Sequence, residues 1–138
     1  MKRPPNRSAI FYEPKRLNPE EIAQRDVVLF LGVALPPDVF YWHCPNGGFS
    51  KGQNGRNKAM GVKAGMPDLH FILGWNELAF IEMKALKGVL SDDQRAFRDL
   101  CQARGIKWAL CRSVEDVEAT LRGWGVALKA TTGVRRAA

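Results

Sequence analysis

The sequence predicts an α/β domain with a mixed sheet, in the order helix, three strands, helix, strand, helix. Two helix starts and one hairpin carry that expectation. Asn18-Pro19-Glu20-Glu21 and Ser91-Asp92-Asp93-Gln94 each place a capping residue three positions before a Glu or Gln. In that pattern the cap and the third helical residue satisfy each other's backbone donors. Between them, the apolar runs Asp68–Leu73 and Leu78–Lys84 are joined by Gly74-Trp75-Asn76-Glu77, which is hairpin chemistry. At 138 residues, 46% hydrophobic and 25% charged, the chain suits one soluble domain and excludes a disordered chain, a collagen-like fibre or a coiled-coil rod.

Taken in order, residues 1–18 hold three prolines and five cations against the single acid Glu13, an extended basic arm. The first helix starts at Pro19, a residue suited to the first helical position, and runs to Leu35, where Pro36-Pro37 stops it. Phe40–Cys44 is an aromatic-rich strand. Pro45 to Met66 contains no acid and several glycines and reads as a basic loop. The hairpin strands follow. The second helix carries the apolar stripe Ala96, Phe97, Leu100, Cys101 and stops at Gly105. Ile106–Cys111 is the last strand, and Ser113 caps a last helix ending near Gly123. Residues 126–138 carry Lys129, Arg135 and Arg136 without an acid, a second basic tail.

A net charge of +7 favours a polyanionic partner, nucleic acid before an anionic membrane. The longest apolar run, Val27–Leu35, is far short of the roughly 20 residues a span needs, and no signal-type apolar core follows the basic N-terminus. Cys44, Cys101 and Cys111 lack CxxC spacing, so they are neither a disulfide framework nor a zinc site. Reduced cysteines without a signal point to the cytoplasm.

The chemistry concentrates in Gly65-Met66-Pro67-Asp68 and Ile81-Glu82-Met83-Lys84. Alternation along a strand points Glu82 and Lys84 the same way, about 7 Å apart. Asp68 opens the partner strand and can face Glu82. Two adjacent carboxylates repel unless one is protonated or a cation lies between them, and a hard divalent cation with oxygen ligands resolves the conflict. Lys84 beside it can hold or deprotonate a water. The structural alternative is a turn aspartate and an edge-strand ion pair.

Asp68 with Glu82-Met83-Lys84 resembles the PD-(D/E)XK nuclease motif, and the longer pattern resembles its VRR-NUC branch, with stand-alone members in phages and bacteria. The matching pieces are Glu20 with Gln24, Asn46-Gly47-Gly48, Gly61 through Leu69, Ile81 through Lys84, Gly88-Val89-Leu90-Ser91 and Gln94. They span residues 19–125, leaving 1–18 and 126–138 as arm and tail. The resemblance implies a restriction-endonuclease-like core and metal-dependent endonuclease activity on DNA. It also implies a homodimer, some members acting on branched DNA such as Holliday junctions, and a bacterial host cytoplasm as the setting. Asp68 and Glu82 are then the ligands of Mg²⁺ or Mn²⁺, with the Met83 carbonyl a candidate third, and Lys84 orients the attacking water.

Other residues have competing roles. Glu20 shares a helix face with Gln24, Val27 and Leu31 and is the better candidate for a further acid at the site, since Glu21 is the capping partner. Both could instead complement the helix dipole. Gln94 is either a structural cap or the glutamine that the family places beside the site. Lys51, Arg56, Lys58 and Lys63 among the glycines of the basic loop are candidate phosphate contacts. His43 and His70 are weaker candidates, and Trp75, at the hairpin tip, is the best placed of the tryptophans for stacking on DNA. The alternatives to a DNA endonuclease are a non-catalytic DNA-binding protein on the same fold and a restriction-type or RNA-cleaving nuclease.

Overall fold

The computed structural model describes residues 16–45 and 51–133. Its elements are α1 (Pro19–Ala34), β1 (Phe40–His43), α2 (Lys51–Ala59), β2 (Leu69–Gly74), β3 (Glu77–Met83), α3 (Asp92–Ala103), β4 (Lys107–Cys111) and α4 (Val114–Gly123). The sheet has the order β1-β2-β3-β4. β1–β2 and β2–β3 are antiparallel, and β3–β4 is parallel through the α3 crossover, so the mixed α/β sheet expected from the sequence is present.

Both capping boxes form, Asn18 with Glu21 and Ser91 with Gln94. Leu35 closes α1 in an extended conformation ahead of the two prolines, and Gly105 follows α3 at φ 67°, a backbone state suited to glycine. Leu69, Phe71, Ala79 and Ile81 point to one sheet face and are fully buried against Val27 and Leu31 of α1 and Val117 and Leu121 of α4. On the opposite face α3 reaches β3 and β4, with the Phe80 and Phe97 rings edge to face.

Two segments differ from expectation. The basic loop contains α2, so the described residues hold four helices where three were expected. No apolar periodicity marks this helix, and Gly52 and Gly55 each cost about 1 kcal/mol relative to alanine. The sequence of residues 126–138 reads as tail, yet Val126 is buried in the core. Lys129 N–H bonds the Ala34 carbonyl at 2.7 Å, and Thr132 N–H bonds Glu118 at 2.8 Å. The residues 126–132 thus latch the ends of α1 and α4. Most of the N-terminal arm and Asn46-Gly47-Gly48 lie outside the described residues. Among the described residues no helix is long and apolar enough to cross a membrane.

Candidate active site

The hairpin register pairs Leu69 with Ile81; extended by one residue, it sets Asp68 opposite Glu82. Asp68 lies where β2 begins, and its Oδ2 accepts the Met83 N–H at 2.8 Å. Its backbone carbonyl accepts from Cys44 N–H at 2.8 Å, so the residue is anchored on both sides, its carboxylate by Met83 and its main chain by Cys44. Glu82, near the end of β3, is 3% exposed. Its Oε1 accepts from Gln94 Nε2 at 2.8 Å and lies 3.6 Å from Lys84 Nζ. Its Oε2 is buried without a hydrogen-bond partner. The structure therefore brings Asp68, Glu82 and Lys84 together as the strand alternation predicts.

Burial pushes the Glu82 carboxyl up to about 8, with the Asp68 charge adding to the rise and Lys84 opposing it. Burial also raises Asp68, against the pull of the Met83 amide. A buried acceptor oxygen left unpaired costs on the order of 1–3 kcal/mol, so this pair calls for a proton or a cation. Among the described residues no three His, Cys, Asp or Glu side chains converge as a metal cluster. The donors on offer are the two carboxylates and the Met83 main chain, whose N–H already points to Asp68. Hard oxygen donors with one unpartnered oxygen fit a divalent cation of the Mg²⁺ type, which is commonly held by one or two carboxylates and otherwise keeps water.

A cavity of about 410 Å³ opens beside the pair, lined by Glu20, Glu21, Gln24, Arg25 and His43 as well as Asp68 and Met83. Glu21 is occupied in the cap, bonding Asn18 N–H at 3.1 Å, whereas no cap bond holds Glu20, whose charge acts on Asp68. Gln94 fills both of its candidate roles. Its Oε1 accepts Ser91 N–H at 2.8 Å while its Nε2 donates to Glu82, so the cap aims the amide. Gly65 secures this arrangement from the other side. At φ +80°, a Cβ on it would lie 2.5 Å from the Asp93 carbonyl carbon, a close approach that only glycine permits.

Sequence reasoning undervalued two residues. His43 Nδ1 lies 2.9 Å from the Asp68 carbonyl; a carbonyl only accepts, so Nδ1 carries the proton. Arg112 Nη1 donates to the carbonyls of Ala85 and Gly88 at 2.5 and 2.9 Å, pinning the segment after Lys84. A lone arginine after a strand gives no sequence signal for that role. His70 is structural: its Nε2 bonds the Pro67 carbonyl at 2.9 Å and its ring packs between Trp42 and Phe80. Of the predicted phosphate contacts, Lys51, Arg56 and Lys58 belong to α2 and Lys63 follows it. Arg56, Lys58 and Lys63 are exposed, none of them in the carboxylate cluster.

The family model of the VRR-NUC domain matches residues 53–115, a stretch that contains Asp68, Glu82, Lys84 and Gln94. Over that stretch the chain is similar to VRR-NUC domains. A solved structure described as a VRR_NUC domain protein superposes with a TM-score of 0.62 at 19% identity, covering 81% of this chain and 98% of the other. At that identity the likeness speaks for the fold, and it accords with the expected restriction-endonuclease-like core. No curated protein matches the chain. The match gives the buried carboxylate pair a family context.

Proposed function

We propose that this protein is a metal-dependent DNA endonuclease with its centre at Asp68, Glu82 and Lys84. The observation that carries the reading is the unpartnered, buried Oε2 of Glu82, the residue opposite Asp68 in the hairpin, with Lys84 Nζ 3.6 Å from the other oxygen. Asp68, Glu82 and the Met83 carbonyl would hold Mg²⁺ or Mn²⁺. When bound, such an ion polarises a phosphoryl oxygen and lowers the pKa of water. Gln94 fixes the Glu82 carboxylate through Oε1 and so leaves Oε2 free. Lys84 orients the attacking water and steadies negative charge developing on the phosphate. Glu20, in the lining of the same cavity, adds a third acidic group. One such centre cuts one strand, so a homodimer with two-fold symmetry suits branched or duplex DNA carrying two symmetrically placed strands. The test is incubation of the purified protein with labelled junction, flap, duplex and single-stranded DNA in Mg²⁺, Mn²⁺ or chelator. Cleavage in either metal that stops in chelator supports the reading, and cleavage that continues in chelator removes the metal from it.

Lys84→Ala is expected to lower the cleavage rate about a hundredfold, the scale of one lost electrostatic contact to the transition state. Cation binding, followed by calorimetry, is retained because an ammonium is not a ligand. A wild-type rate would exclude Lys84 from the chemistry.

The helical form of α2 sharpens the expectation for its cations. Arg56 and Lys58 stand two residues apart and face different sides of a helix, so one docked DNA strand meets one of them. Neutralising both should flatten the log–log salt dependence of duplex binding by about 0.9, with similar loss for unrelated sequences. A salt titration in the Glu82→Gln background measures it, and an unchanged slope would take α2 off the DNA.

A further inference from the structure

Among the described residues, the sheet face that carries Glu82 is only half covered. Phe80 lies two residues before Glu82 on β3, hence on the same face about 7 Å away. From Phe80 a chain of ring contacts runs in both directions across the sheet. Phe97 of α3 packs on it at 5.2 Å between centroids, His70 at 5.0 Å on the other side, then Trp42 at 5.2 Å from His70 and Phe40 at 5.9 Å from Trp42. The register sets Trp42 opposite His70 and His70 opposite Phe80. The row begins under α3 and ends on the edge strand β1, where Trp42 is 39% and Phe40 63% exposed. His70 is itself fixed by the Pro67 carbonyl at 2.9 Å, so the open rings stand on a rigid base.

We infer that Trp42 and Phe40 form a stacking platform for unpaired bases, and that the nucleic acid engaged at the neighbouring carboxylates is a strand with bases free of pairing beside the phosphate. This rests on the nuclease reading above. Three observations select this occupant. The rings lie about 10 Å, two interstrand spacings, from the strand that bears Glu82. They are held by neighbours, so little rotamer freedom is lost on binding. The chain is cationic at +7, and exposed Arg56, Lys58 and Lys63 follow β1, which suits a polyanion that also offers flat apolar faces. Trp75, the tryptophan favoured by sequence for this role, is 99% exposed but sits at the far end of β2, roughly 20 Å of strand from Asp68.

The experiment compares binding of oligo(dT) with binding of an abasic strand of equal length, in the Glu82→Gln background with chelator. The two ligands have the same phosphates and differ only in bases. The unsubstituted platform is expected to prefer oligo(dT) about tenfold or more. Trp42→Leu, which keeps apolar bulk, should bind both alike, whereas Trp42→Tyr, which keeps a π face, should retain the preference. Sedimentation of the same variants reads the competing occupant, a second copy of this chain. No preference in the starting protein, or an undiminished preference in Trp42→Leu, overturns the platform, as does a Trp42→Leu protein that dissociates to monomers with its preference intact. Because the readout is binding, its outcome is separate from the nuclease reading. A protein that prefers bases yet cleaves nothing in metal keeps the platform and loses the activity, and one that cleaves without preference does the reverse.

Discussion

Asp68→Asn and Glu82→Gln are each expected to abolish cleavage, a loss of about a thousandfold or more, while DNA binding persists. Both substitutions keep the shape of the side chain and remove its charge. The two carboxylates face each other at the start of β2 and the end of β3, and one Glu82 oxygen has no protein partner. Their service is to hold a cation whose charge stabilisation at the phosphate amounts to several kcal/mol, and each 1.36 kcal/mol is tenfold in rate. Binding survives because it rests on phosphate contacts made by cations elsewhere. Cleavage assays in Mg²⁺ and Mn²⁺ beside filter binding in chelator separate the effects. Either variant cutting at the wild-type rate would show that the pair is a structural feature of the hairpin. The non-catalytic alternative makes a different forecast: the wild type cuts nothing in any metal, and both variants bind as it does.

The two capping boxes, the hairpin turn and the alternation in Ala79-Phe80-Ile81-Glu82 made most of the fold and the carboxylate pair legible in the sequence. These are local signals, each fixed by neighbours within four residues. What escaped is non-local. α2 lacks an apolar stripe and contains two glycines, so its propensity argues for loop. Residues 126–132 look like tail because Val126 is buried only by the assembled core and the Lys129 amide finds its partner, the Ala34 carbonyl of α1, more than ninety positions back in the chain. Gln94 posed a choice between cap and site that spacing could not resolve, and the structure removes the choice: one end of the amide caps, the other bonds Glu82. Arg112 and His43 act on backbone carbonyls, and such contacts leave no residue pattern. Trp42 was passed over for Trp75 because an aromatic in a turn is visibly exposed, whereas exposure on a strand depends on whether a helix covers that part of the sheet.

The same Glu82 that is needed for cleavage should weaken the fold in the absence of metal, increasingly so as pH rises. Its folded carboxyl titrates at about 8, raised first by burial and then by Asp68, while the unfolded group titrates near the ordinary 4.5. Between those values the native state keeps a proton that the unfolded state has released. The unfolded state therefore binds fewer protons, and unfolding free energy falls with rising pH. The loss begins near pH 4.5 and is complete a little above pH 8, and the raised carboxyl of Asp68 acts in the same direction. Glu82→Gln has nothing to release at this position, so its stability curve is flatter. At pH 8 in chelator it should exceed the wild type by an amount on the order of a few kcal/mol, with the difference shrinking toward pH 5. Adding Mg²⁺ or Mn²⁺ should stabilise the wild type most at the high-pH end, where the ligands are ionised, and leave Glu82→Gln nearly unchanged. Urea unfolding of both proteins at several pH values, with and without metal, gives the comparison. Parallel curves for the two proteins from pH 5 to 8 would mean that Glu82 is already ionised and satisfied in the folded protein, and would remove the strained carboxylate pair as the reason for a cation at this site.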